Sequence, residues 1–296
     1  MVEVSVTNHD LLEQIYTIDS NKLQVDLNFE RSHSGSTFLS RQYVSYPFHL
    51  GRTLNHLTPT GATAILQSCS GGLFEHERIG IKIHACSNTT AHIGNAAATI
   101  VHTMGNGYAF SSAHIEAESD AYLEYIPNLT ILFPAARLVS EIEVVLHPGS
   151  IVVISDGYLS HDPDFSDSAF GFLDVKLTVY DEKRSLLVRD HFNIEGCIWN
   201  RKLSGLSGSF TAHGNIFVLA KDNDIKKLKY HLDNLITQIF NSCLRVDIGI
   251  GILPNRAGIV VRILSDGSAL LRYVLSEVLK VLHQQIGNQI EVVLSS

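Results

Sequence analysis

From about residue 35 to 220 the chain alternates apolar and polar positions in short runs broken by Gly, Asn, Asp and Pro. That is the two-residue period of strands with one buried face. Ile79, Ile81 and Ile83 alternate with Gly80, Lys82 and His84, and Val175, Leu177 and Val179 alternate with Asp174, Lys176, Thr178 and Tyr180. Ile142, Val144 and Leu146 repeat the pattern, although Val145 interrupts the polar face. Near the C-terminus the period lengthens. Ile225, Leu228, Leu232, Leu235, Ile236 and Ile239 predict a helix over 224–240, with Asp222, Asn223 and Asp224 as capping candidates. Leu270, Leu271, Val274, Leu275, Val278, Leu279 and Leu282 predict a second helix over 267–284, capped by Ser265 or Asp266 and stopped by Gly287. Both apolar stripes read as core packing. No fixed repeat emerges, and the Gly/Ser-rich stretch 203–209 reads as a turn. The pattern therefore predicts a mainly β, α+β fold with two helices in its C-terminal half, in one domain over 1–296.

Composition narrows the function. The chain is 45% apolar and only 18% charged, which implies a folded globular body with much of its surface covered. A net charge of −8 argues against nucleic acid and against anionic membrane surfaces as partners. There is no apolar run of about eighteen residues, and the acidic N-terminus lacks the apolar core of a signal peptide, so the cytoplasm is the expected compartment. Cys69, Cys86, Cys197 and Cys243 form no C-x-x-C pair. They predict buried, reduced thiols rather than a disulfide framework or a structural zinc site.

Enzymatic motifs are incomplete. Ser68–Gly72 ends like a serine-protease nucleophile loop but lacks the preceding Gly-Asp, and Gly205–Ser209 misses the last glycine of G-x-S-x-G. Gly249-Ile250-Gly251 lacks a third glycine and a following helix, and no phosphate-cradling G-x-x-x-x-G-K-[ST] occurs.

The distribution of charge is more telling. Between Ile83 and Val175 the only Lys or Arg is Arg137, against eleven acids and six histidines. Such a block attracts cations. Its densest part runs from Ser155 to Asp164, where His161, Asp162 and Asp164 offer imidazole and carboxylate ligands without the spacing of a closed metal site. A β-rich metal-dependent hydrolase using this loop is one reading, and a solvated acidic loop is the plainer one.

Five passages in order resemble the UreD/UreH family of urease accessory proteins: SGGLFEHERIGIKI from Ser70, AAATIVHTM from Ala96, LEYIPNLTILFPAARL from Leu123, SDGYLSHDP from Ser155 and GIVVRILSDGSALLRYVLSEVL from Gly258. The resemblance spans about residues 34–283. It departs at His76-Glu77, where members commonly carry Gly-Asp, and in the His-Asp loop after Ser155, which marks a divergent branch.

The resemblance implies a two-layer, helix-like winding of strands and a non-catalytic role in nitrogen metabolism. A scaffold of this family binds a UreF-like protein and, through it, a UreG-like GTPase, and docks on apo-urease. It also implies a passage through which nickel moves, with no cofactor held tightly. Matched to the motifs, His102, Glu124 and Asp156 are the expected passage-lining residues. Their plainer readings are a buried hydrogen-bonded imidazole, an exposed strand carboxylate and a turn residue before Gly157, respectively.

Overall fold

The computed structural model describes residues 23–54, 60–164, 166–221, 225–241 and 245–295. Two sheets face each other, and the chain passes from one to the other as it winds. The first sheet contains β1 (Val25–Arg31), β2 (Thr37–Val44), β5 (Arg78–Ala85), β8 (Ala109–Ala117), β11 (Arg137–Leu146), β13 (Phe172–Asp181) and β14 (Leu186–Glu195). Their spatial order is β14-β13-β11-β8-β5-β1-β2. The second contains β3 (Phe48–Leu50), β4 (Ala62–Ser68), β6 (Thr90–Asn95), β9 (Tyr122–Ile126), β12 (Ile151–Ser160), β15 (Ala212–Leu219), β16 (Val246–Ile252) and β17 (Gly258–Ser265). They lie in the order β16-β17-β15-β12-β9-β6-β4-β3, with the short β10 (Thr130–Leu132) joining β12 to β7 (Thr99–Val101).

The middle of each sheet is parallel. Ile81 faces Ala113, which faces Ile142, which faces Leu177, so successive coils of the first sheet are 32, 29 and 35 residues apart. In the second sheet Ala62, Ala91, Leu123 and Val152 stack at intervals of 29, 32 and 29 residues. The winding is thus solenoid-like without a constant sequence period, which is why no repeat is legible. At all four sheet margins the last pairing is antiparallel.

The alternating runs read from the sequence are β5, β11 and β13. Their apolar positions Ile83, Val144 and Val179 are fully buried against the second sheet. The second sheet is covered on both faces, and its other side packs under two helices, α2 (Ile225–Asn241) and α3 (Ser268–Ser295); α1 (Gly196–Trp199) is a single turn after β14. Strands buried on both faces read as apolar runs without alternation. Leu232 and Ile239 of α2 meet Leu271, Val274, Val278 and Leu282 of α3 in this second core. Among the described residues no helix is long and apolar enough to cross a membrane.

Four expectations change. Strands begin before residue 35, because Val25, Leu27 and Phe29 put three apolar side chains in the inter-sheet core. Helix α3 continues past Gly287, since glycine weakens a helix by about 1 kcal/mol but retains its N–H and stops it only where the chain turns left-handed. Gly267, at φ 91°, precedes that helix, while Ser265 ends β17 and Asp266 pairs with Arg245 at 2.7 Å. The thiols are not uniformly buried: Cys69 and Cys197 are exposed and Cys86 is half-buried. The cap candidates Asp222, Asn223 and Asp224, and Cys243, lie outside the described residues.

Candidate functional site

The acidic, histidine-bearing block does not converge on one point. Its strands alternate faces, so its side chains are divided among three environments. On the outer face of the first sheet most of its acids pair with neighbours: Glu118 with His84 at 3.1 Å, Glu116 with His147 at 3.1 Å, Glu143 with His114 at 3.2 Å and with Arg184 at 2.7 Å, and Asp174 with His191 at 2.7 Å.

Glu124 lies on the helix-facing side of β9 and is 1% exposed. It accepts a hydrogen bond from the Tyr122 hydroxyl, pairs with His92 at 2.8 Å, and pairs with His283 of α3 at 2.6 Å. Burial, the largest single influence, would raise its pKa, but the bonds from His283, His92 and Tyr122 outweigh it and hold the carboxyl at about 2. An ionised, fully partnered carboxylate here ties α3 to the sheet.

His102 follows β7 at the rim of the winding. Its ring stacks on Phe74 at 4.3 Å, meets Phe133 edge-on at 5.7 Å, and lies 3.0 Å from the Gly71 carbonyl. Phe133 in turn lies 5.8 Å from His161. His161 and His102 therefore flank one aromatic ring. Asp162 is committed to its own loop, accepting bonds from the Ser168 amide at 2.9 Å, the Ser166 hydroxyl at 2.9 Å and the Asp164 amide at 3.1 Å. These bonds, the Ser168 amide foremost, hold its carboxyl below the usual carboxylate range. The loop is folded as an Asx-type turn.

Asp156 is different in kind. It sits within β12, not in a turn, and points between the sheets on the same face as Ile154 and Tyr158. Asn215, directly opposite on β15, donates to it from both the backbone amide (3.0 Å) and the side chain (2.8 Å). Asn215 Oδ1 accepts from Arg262 of β17 at 3.3 Å, and Arg262 pairs with Asp190 of β14. A polar thread therefore runs from a buried carboxylate to a half-exposed ion pair. Burial pushes Asp156 up to about 7, against the lowering effect of the two Asn215 bonds. Beside it His213 lies between Tyr158 and Phe192, with Nδ1 buried and unpartnered. Burial, then the Arg262 charge, lowers His213 to about 4, so its ring is neutral near pH 7.

Three spaces share lining residues along this thread. An inter-sheet cavity of about 100 Å³ is lined by Asn95, Tyr125, Asn128, Ser140, Asp156 and Tyr158 among others. It shares Ile142, Asp156 and Tyr158 with a gap of about 10 Å³, near the size that admits one water. That gap shares Asp190, Phe192 and His213 with an open cleft of about 560 Å³. Asp156 lines both the cavity and the gap.

Of the three residues the family motifs single out, then, only Asp156 faces this inter-sheet space; Glu124 is on the opposite side of the second sheet and His102 at an edge. Sequence reasoning missed His213, Asn215, Arg262 and Asp190. The signal for the first two was there: His213 and Asn215 sit two apart in AHGNIFVL, an otherwise apolar strand, and so share a face. The hydrolytic motifs have other uses. Ser70 donates to the Gly72 carbonyl, and the buried Ser207 donates to the Trp199 carbonyl, so the second stretch is an anchored loop rather than a loose turn. Gly249 and Gly251 lie in strand β16.

Comparison with known proteins points to one family. The model of the UreD urease accessory protein family matches residues 22–293. A protein of Pseudomonas syringae pv. syringae named urease accessory protein UreD 1 is 37% identical over 267 residues, covering 90% of this chain and 92% of its own. Its namesake from Methylorubrum extorquens is 33% identical over 252 residues, covering 84% and 83%, and urease accessory protein UreD of Haloarcula marismortui is 31% identical over 247, covering 82% and 79%. With the family model matching nearly the whole length and the strands wound as its motifs imply, the chain belongs to the UreD family of urease accessory proteins.

Proposed function

We propose that this chain is a non-catalytic, cytoplasmic subunit of a urease maturation complex, folded as one domain, that passes nickel to apo-urease in company with UreF-like and UreG-like partners. Nickel is cargo in this reading, not a resident cofactor. The observation that supports it is Asp156, which lines both the inter-sheet cavity and the small gap that shares lining residues with the open cleft. A passage must bind a cation well enough to admit it and weakly enough to release it. One carboxylate whose pKa lies near 7 meets that need, because it can exchange a proton for a divalent ion at little cost. The neutral His213 ring beside it offers a second weak ligand without a repelling charge. His102, at the rim, is assigned an entry or exit position, and Glu124 a supporting one through α3.

The test is urease activation in cells carrying urease and its accessory genes under limiting nickel. Asp156→Asn should lower activation while the protein still co-purifies with its UreF-like partner. Wild-type activation by Asp156→Asn would remove the passage assignment, and failure of the chain to co-purify with any urease component would remove the maturation role.

A further inference from the structure

We propose that His84, Cys86 and Glu118 form a three-ligand site for a thiophilic divalent transition-metal ion on the outer face of the first sheet, apart from the inter-sheet passage. His84 lies near the end of β5, and Cys86, the first residue beyond it, follows two positions on, its amide still bonded to the Phe29 carbonyl of β1, so the two side chains come to one face. The parallel β8 ladder sets Glu116 beside His84, so Glu118, just beyond the strand, comes level with Cys86. Among the described residues these three form the one such trio whose ligand atoms all lie within 4.8 Å of one another. An imidazole, a thiol and a carboxylate suit zinc, cobalt or nickel and not magnesium or calcium.

The surroundings are arranged as a ligand shell is. Asn28, across the β1 ladder, donates its amide to Glu30 at 3.0 Å and to Ser40 at 2.7 Å, which fixes its oxygen as an acceptor. That oxygen lies 2.7 Å from His84 Nδ1, so Nδ1 carries the proton. His84 Nε2 then faces Glu118 Oε1 at 3.1 Å with a lone pair against a lone pair unless a cation lies between them. A proton can fill that place, and so can a metal ion, which also draws in the third corner, Cys86. Glu118 is held for this by the Ser87 amide and hydroxyl, both 2.9 Å from its other oxygen. An outer partner that orients a ligating histidine is the usual support of a metal site. On binding, the Cys86 S–H bond breaks, sulfur keeps the electron pair to bond the metal, and the proton goes to buffer. Three protein ligands leave a fourth position to water, so the ion is exchangeable.

The test uses the full chain with Cys86 as its sole thiol, made by Cys69→Ser, Cys197→Ser and Cys243→Ser. Cobalt(II) titration should saturate at one equivalent with a thiolate-to-cobalt absorption band that zinc abolishes. Cys86→Ser should remove the band, and His84→Gln or Glu118→Gln should weaken binding about tenfold or more. In the unaltered protein, zinc should slow iodoacetamide alkylation of Cys86 about tenfold, a readout that requires no variant to fold. A folded sole-thiol protein without the band, a band that survives Cys86→Ser, or alkylation of Cys86 indifferent to zinc overturns the site. None of these results bears on Asp156.

Discussion

Asp156 and Asn215 face each other across the β12–β15 ladder, and one carboxylate oxygen takes both the backbone and the side-chain amide of its partner. The pair stands in the inter-sheet core beside a neutral histidine, and its burial makes stability depend on pH.

For folding, the sign follows from burial. Asp156 rises from 3.8 to about 7 in the native state, so its contribution to stability is fully present below pH 3.8 and declines as pH rises toward 7. His213 falls from 6.5 to about 4, so its contribution is present above pH 6.5 and declines as pH falls toward 4. Asp156→Asn keeps an acceptor for Asn215 and removes the first dependence alone. Thermal midpoints of the variant should therefore gain on wild type as pH rises from 4 to 7 and hold that gain above it. A variant that loses ground over this range would show that Asp156 is ionised without penalty.

Glu124→Ala should act through stability. It leaves His92, His283 and the Tyr122 hydroxyl without their shared partner, and breaking a buried pair from one side costs about 3–5 kcal/mol. Denaturant unfolding should show this loss, with His283→Ala losing a smaller part of it. Any drop in urease activation by Glu124→Ala should then be recovered at lower growth temperature, which Asp156→Asn should not show.

Gly258→Ala should be among the most damaging single methyl additions. Its φ is 136°, and an added Cβ would lie 1.8 Å from the Val218 carbonyl oxygen of the neighbouring strand, where no side chain can move aside. Strain and displaced pairing together should cost about 2–4 kcal/mol in denaturant unfolding. At Gly205, also at positive φ but with nothing within 4 Å, the same change should cost less than half of that.

Asp162→Ala should loosen its loop and leave urease activation at the wild-type level, because Asp162 spends its oxygens on Ser166, Ser168 and Asp164. Loss of activation at normal thermal midpoint would return the loop to consideration as a metal-handling element.

The fold was legible where one face of an element meets water. The strands β5, β11 and β13 and the helices α2 and α3 all show their periods because polar residues mark the outer side. Strands β12 and β15 are covered twice, by the first sheet and by the helices, so their apolar positions carry no alternation and their inward polar residues stand out only against that background. The site was less legible for a related reason. Charge density along the chain pointed at 83–175 as a whole, but a residue's partners depend on which face it occupies: Glu116 and Glu118 look outward, Glu124 toward α3, and Asp156 inward. Arg262 and Asp190 reach Asp156 from strands more than thirty residues away in sequence, a proximity that only the ladder order creates.

The antiparallel pairing at the four sheet margins has a consequence for association. A purely parallel winding ends in coils identical in hydrogen-bond direction to those within it, so each end is a template on which a second molecule could continue the helix and grow into a fibre. Here β2, β3, β14 and β16 each reverse the direction of the strand they adjoin. A second molecule laid end to end would meet a reversed strand instead of a further turn of the parallel coil. The parallel winding therefore stops inside the molecule, and its length is set by where these four strands turn back.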